Sequence, residues 1–478
     1  MEPSQNRVVY LDNIRNVLVY NVVLLHIVQM FAYPLLFWWA VTDRTGSSRF
    51  YEMGLIVMDI YLMPCLLFVA AFFILPSVKK HTPLEYIKKR FLRLCIPAVV
   101  FLFCAGDIFF QLLLNRLNSL PTAYSDTFLN YWRVFANLPA VYLSMSQKTL
   151  NTITFNMQHA WFLTLLFSFT LIVVSLSLPF RRKISAPKKT DNRKIIIRKT
   201  ILFAIALGLV HAAVMVYCVL HKIDFSSWII LGKVLQFQIG KIWLLLPAFL
   251  FGFYAYKKEW LTRSDIGSWQ LWGILVCILL VPYILLYHIG ILPTLDEMFK
   301  VAEHNRLFDD KMARPAVESR VQGAFLFTWI LLPPICLFLL MFFLSFAKRF
   351  FNRSNAITTF CSKHSINVYV LHYIPVLILQ YTFLNVPIPS LIKIILMVII
   401  VIPACLWLSH RLVYPYPKTA IAFFVALKFI ALAAGFTFYY FALLALIFIS
   451  FAGAVYESAR WYRIERRTSL ETASYIEQ

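Results

Sequence analysis

Apolar runs of about 20 residues recur along nearly the whole chain, and a run of that length crosses the roughly 30 Å hydrocarbon layer as one helix. Lipid offers the backbone no hydrogen-bonding partner, so only helices and closed barrels satisfy it there. Twelve runs are legible, near 14–36, 53–75, 94–114, 160–180, 200–220, 236–256, 268–289, 323–346, 364–384, 390–409, 419–434 and 437–457. The last two flank Gly435 and read either as two short spans or as one span plus a re-entrant piece. A composition of 61% hydrophobic and 14% charged residues lies far outside the soluble range. The expected fold class is all-α: a polytopic membrane protein with about ten to twelve transmembrane helices.

A net charge of +23 raises the question of nucleic acid, but the basic residues collect in alternate loops, which is the positive-inside pattern. Roughly 30 of the 45 Lys and Arg fall on one side of a twelve-span chain, together with both termini, so that side is expected to be cytoplasmic. No nucleic-acid partner is expected; the partner is the bilayer. The long connections near 115–159 and 290–322 then face outward, where a polar acceptor could be met. The eight cysteines show neither C-x-x-C pairs nor metal-ligand spacing, so no metal is expected. The first span carries Arg, Asn, His and Gln and lacks a small-residue cleavage site, so it is expected to remain in the protein. Nucleotide-binding glycine loops and a G-x-S-x-G elbow are absent, which leaves the polar residues of the spans to carry function.

Arg15 and His26 stand eleven residues apart in RNVLVYNVVLLH. That is close to three helical turns, so both lie on one face, roughly 16 Å apart along the axis. An ionisable group inside the membrane marks a functional path by default. Plainer readings stand beside it: a neutral His26 making one interhelical hydrogen bond, and Arg15 as an interfacial anchor. Arg90 and Arg93, one turn apart at the start of the third span, suit a grip on phosphate or simply obey topology. Cations at the cytoplasmic mouth and a histidine three turns deeper fit a phosphorylated head with a long thin arm, the shape of a coenzyme A thioester. His26 would then be the general base for an acceptor hydroxyl.

Five segments carry a resemblance to a known family: YLDNIRNVLVYNVVLLH, MPCLLFVAAFFI, KKRFLRLCIP, HAWFLTLLF and SINVYVLHYIPV, in that order. Together they resemble the integral-membrane acyltransferase family 3, over about residues 8–413. The resemblance implies acyl transfer from acyl-CoA, as co-substrate rather than bound cofactor, to a carbohydrate or glycolipid of the cell envelope. It implies that Arg15 and His26 are the essential pair, that Arg90 and Arg93 help hold the donor, and that Asp12 supports Arg15. His159, Trp161, Tyr369 and His372 are further candidates. The opening segment is similar to a branch that succinylates glucans, so succinyl stands beside acetyl as the group moved. Two departures are visible: Ala70 and Ala71 stand where many relatives carry Ser-Gly, and the chain runs on past the usual core. The expected division is a core over 1–413, one or two added spans over 414–458, and a cytoplasmic tail over 459–478.

Of the remaining polar residues, Asp59 needs a partner in lipid, either a cation or a hydrogen bond, and could tune His26; Glu52 is expected to be solvated at the outer edge. Tyr369 lies three residues before His372 and could hydrogen-bond it, while His372 could equally be a packing histidine. His159 and Trp161 could meet a sugar or belong to an interfacial belt. Lys233, Gln236, Gln238 and Lys241 read as the wall of an outward cavity on the acceptor side, or as an interfacial loop. The expectation is an O-acyltransferase of a bacterial plasma (inner) membrane. A secondary transporter of a small anion or envelope lipid, and a non-catalytic membrane partner, are the alternatives.

Overall fold

The computed structural model describes residues 8–32, 39–116, 123–135, 157–177, 191–223, 228–231, 235–291, 293 and 319–476. Among them are fourteen α-helices. The first eight are α1 (Val9–Val28), α2 (Arg49–Lys80), α3 (Pro83–Arg116), α4 (Tyr124–Phe135), α5 (Trp161–Ser177), α6 (Arg193–Leu220), α7 (Ile239–Lys257) and α8 (Trp269–Leu286). Then follow α9 (Ser319–Phe350), α10 (Ala356–Leu371), α11 (Tyr373–Phe383), α12 (Ser390–Leu408), α13 (Pro417–Ala434) and α14 (Phe436–Ile476). Eleven of the described helices are long and apolar enough to cross a membrane, or twelve spans when the bent pair α10–α11 is counted as one. The protein is thus an all-α polytopic membrane protein.

Helix α1 is the axis of the bundle, touching α2, α9, α10, α11 and α12. Polar clasps fix its first turns: the Asn13 amide donates to the Phe351 carbonyl at 2.7 Å, and the Asn16 amide to Ser362 Oγ at 2.9 Å. Around it, α6, α8 and α9 pack on one flank and α12, α13 and α14 on the other. Outer helices show apolar stripes at helical spacing, such as Ile274, Ile278, Val281 and Leu285 on α8 and Ile392, Ile395 and Ile399 on α12, all exposed as a lipid-facing stripe requires. Helix α2 lies against α7 so closely that a Cβ at Gly252 would collide with the Phe68 carbonyl and stand 2.9 Å from the Ala71 Cβ. The Ala70–Ala71 departure therefore lies beside a tight helix–helix contact. At Gly435, φ is +94°, a left-handed conformation that turns α13 into α14 and that other residues adopt only with strain.

Three expectations change here. The run 364–384 is not one straight span: α10 and α11 meet at 59°. Pro375 causes the bend, since it cannot donate to the Leu371 carbonyl and its ring crowds that carbonyl, so the chain breaks at His372. The run 236–256 begins as a strand: Trp228–Leu231 (β1) and Leu235–Gln238 (β2) form an antiparallel hairpin, with Trp228 opposite Gln238. Glu52 is buried and paired with Arg49 at 2.6 Å, not solvated. Most of the 115–159 and 290–322 connections lies outside the described residues.

Candidate active site

Three histidines far apart in sequence meet at the centre of the bundle. His26 lies in the last turn of α1, His372 at the break between α10 and α11, and His159 in a single 3-10 turn, Gln158–Ala160, ahead of α5. The His26 and His372 rings stack with centroids 5.3 Å apart, His159 meets His372 edge-on at 5.2 Å, and His26 and His159 are 6.4 Å apart. Tyr373 touches both His26 and His159, at 5.3 and 4.7 Å, and Phe101 of α3 closes on His159 at 4.1 Å.

The hydrogen bonds fix tautomers. Gln29, one turn beyond His26, places its amide oxygen 2.6 Å from His26 Nδ1, so Nδ1 carries the proton and Nε2 keeps its lone pair. His372 Nδ1 donates to the Tyr369 carbonyl at 2.8 Å, which leaves its buried Nε2 a bare acceptor with no partner. Tyr369 thus serves His372 through its backbone; its hydroxyl donates instead to the His159 carbonyl at 2.9 Å. Both ring nitrogens of His159 are buried beside the backbone carbonyls of Tyr369 and Val370, without a well-aligned hydrogen bond. Among the described residues, no carboxylate hydrogen-bonds any of the three rings.

His159 is held by an unusual turn. Gln158 adopts φ +50°, a left-handed conformation that costs a non-glycine residue and tends to persist only where its surroundings enforce it. The enforcement is visible: the Gln158 amide donates to the Gly106 carbonyl at 2.7 Å, and Met157 N–H donates to Gln236 Oε1 at 2.9 Å. Gln236, expected on the wall of an outward cavity, is instead a buried strut behind His159. Gln238 ends the same strand, Lys241 pairs with Asp59 at 2.7 Å on the surface, and Lys233 lies outside the described residues. Asp59 is therefore the partner of a cation on α7. Trp161 packs on Trp228 at 5.5 Å.

The sequence alone did not mark Trp39 and Gln380. Trp39 stacks on His26 at 5.9 Å and donates through its indole N–H to Gln380 Oε1 at 3.0 Å, while the Gln380 amide donates to the His26 carbonyl at 2.8 Å. This closes the end of α1 beyond His26.

At the other end of α1, Arg15 lies 3.4 Å from Asp12 and donates to the Ser362 carbonyl at 3.1 Å. Arg90 Nε donates to the Tyr86 hydroxyl at 2.8 Å. The exposed Arg93 is within electrostatic reach of both Arg15 and Arg90, so the three arginines, from α1 and α3, gather at one end. Between this cluster and His26, the same face of α1 carries Val19 and Val22, both buried.

No curated protein and no solved structure matches the chain. A family model described as an acyltransferase domain, acyltransferase 3, matches residues 8–410, which take in the arginine cluster, all three imidazoles and their supports. The chain therefore belongs to the acyltransferase 3 family.

Proposed function

We propose that this membrane acyltransferase takes acetyl or succinyl from acyl-CoA held at the arginine end and delivers it to a hydroxyl of an envelope glycan or glycolipid, with His26 as general base. The observation that carries the reading is His26 itself: its Nδ1 proton is fixed on Gln29, so Nε2 is a ready proton acceptor, and it stands three turns from Arg15 on one helix face. Arginine suits the donor's phosphates because its planar fork grips them bidentately. In the reaction, the acceptor hydroxyl gives its proton to His26 Nε2 as its oxygen bonds to the thioester carbon. The carbon–sulfur bond then breaks, and the departing thiolate takes the proton back. His372, with Nδ1 tied to the backbone and Nε2 bare, is the second group able to hold a proton or hydrogen-bond the acceptor. Val19 and Val22 pack the face between the two ends, so a bound donor arm has to part that face from its neighbours. The positive-inside count supports an arginine end on the cytoplasmic side, and the membrane of this reading is a bacterial inner membrane.

The test is consumption of radiolabelled acetyl-CoA and succinyl-CoA by the purified protein in lipid, set against His26→Ala and Arg15→Ala. Loss in both variants, with the fold retained, supports the reading, and the preferred donor names the acyl group. If native protein neither binds nor consumes either donor, the reading falls and transport or a non-catalytic partnership takes its place.

A further inference from the structure

A second polar feature lies just beyond the imidazoles, at the end of α1 opposite the arginines. A cavity of about 680 Å³ opens between the loop that joins α1 to α2 and the loop that joins α11 to α12. Its volume falls within the roughly 300–1,000 Å³ of small-molecule sites. Both walls continue directly from the elements that build the imidazole cluster. Asp43 N–H donates to the Met30 carbonyl at 2.9 Å, and Ser48 N–H to the Phe31 carbonyl at 3.3 Å, which ties the first wall to the turn that follows His26. The second wall begins at Leu384, four residues after Gln380, which holds the His26 carbonyl.

The lining has a definite chemistry. Its one acid and one base, Asp43 and Lys393, are buried against each other at 2.7 Å, so the cavity presents no net charge. The Asp43 carboxylate is further occupied by Thr45 and by Gly46 N–H, at 2.8 and 2.9 Å. What remains for a ligand is neutral: Ser48 on one wall and Asn385 on the other, both exposed and without side-chain hydrogen bonds, and the Tyr51–Ser390 hydroxyl pair at 2.9 Å. Residues 386–389 add an apolar strip. Hydroxyl and amide groups facing an apolar strip, with charge cancelled inside the wall, suit an uncharged sugar, which offers both hydroxyls and C–H faces. An anionic ligand would find no uncompensated cation among the lining residues.

We propose that this cavity binds the acceptor as a neutral sugar unit, in place of the Gln236–Lys241 region; the connection that supplies one of its walls also carries Trp39, which stacks on His26. Its role as an acceptor site rests on the acyl-transfer reading above; its occupancy by a neutral sugar can be tested without turnover. The probes are a neutral gluco-oligosaccharide, its carboxylated counterpart, and an alkyl glucoside presented in the bilayer, each titrated into the native protein in lipid nanodiscs and followed by saturation-transfer NMR. Asn385→Trp and Ser48→Trp fill the cavity from opposite walls at exposed positions. The expected result is binding of a neutral probe, weakened about tenfold or more by either tryptophan and by a carboxylate on the probe. Binding of the soluble oligosaccharide assigns the site to a free glycan, and binding confined to the alkyl glucoside assigns it to a glycolipid head. The proposal is overturned if neither neutral probe binds, if both tryptophan variants bind like the native chain, or if the carboxylated probe binds as well as the neutral one. Acyl-CoA consumption by the same samples separates the two ideas: consumption with undiminished probe binding in both variants removes the cavity and keeps acyl transfer, and probe binding without consumption does the reverse.

Discussion

Two of the polar clusters buried among the described residues are built on opposite plans. In one, Lys428 of α13 is fully enclosed and places Nζ 2.6 Å from each Asp107 carboxylate oxygen of α3 and 2.7 Å from the Tyr124 hydroxyl, with the Tyr124, Phe128 and Tyr439 rings around it. Its ammonium has its hydrogen bonds inside the cluster, and Tyr439 itself donates to the Cys104 carbonyl. In the other, His26, His159 and His372 are held in place by amides and backbone carbonyls, yet His372 Nε2 is buried with no hydrogen-bond partner among the described residues. A satisfied buried ion pair has nothing left to offer a substrate. Bare imidazole nitrogens cost stability in the resting protein and hold hydrogen-bonding capacity in reserve. Burial of a polar residue is thus a weak sign of function, and burial without a partner is a stronger one. The ion pair has its own consequence: α13 lies beyond the stretch matched by the family, and Lys428 fastens it to the core.

The largest effect should come from breaking the satisfied cluster. Lys428→Met strands the Asp107 charge in an apolar site, an expected loss of about 3–5 kcal/mol, read as a lowered Tm or loss of folded protein. Adding Asp107→Leu should restore most of it, because the stranded charge is then gone. A native Tm for the single variant would mean that the clasp does not hold α13.

The opposite signature is expected at the imidazoles. His26→Ala should keep Tm within a few degrees while turnover falls about 10²–10⁴-fold, the usual range for a general base. A large fall in Tm with full turnover would make this a packing cluster like the first. A smaller change, Gln29→Leu, removes the acceptor that fixes the His26 tautomer. It should lower turnover about fivefold, in line with roughly 1 kcal/mol for a lost hydrogen bond, and leave donor binding intact.

The smallest effect is the acid response of the loop beyond His26. Burial pushes the Asp43 carboxyl up, but hydrogen bonds from Lys393, Gly46 N–H and Thr45 outweigh this and hold it below the usual carboxylate value. A depressed folded-state pKa means the pair's contribution is complete above about pH 4 and is lost as pH falls through the folded value. Thermal scans should therefore show the native protein losing stability below about pH 4, with Asp43→Asn less stable at neutral pH and less sensitive to acid. An identical acid response in both would show that the pair does not secure the loop.

Much of the site was readable in advance because α1 is one continuous helix. Arg15 and His26 share a face by spacing alone, and Gln29, three residues past His26, could have been read by the same rule. Within the polar patch at 233–241, Gln236 departs from an outward-cavity position because the apolar run there begins as a hairpin strand, which turns its side chain into the core. Glu52 was misplaced for a related reason: hydropathy puts it near a span end but says nothing of Arg49 folding over it.

The sequence by itself determined the all-helical membrane architecture, since the length and apolarity of each run are local properties that lipid converts directly into helices. It determined the family too, through short motifs kept in order. Only the tertiary structure brought His159 and His372 to His26, across more than 100 residues of chain. It did so through a proline break in one helix and a left-handed turn ahead of another, features whose three-dimensional aim depends on every helix packed around them.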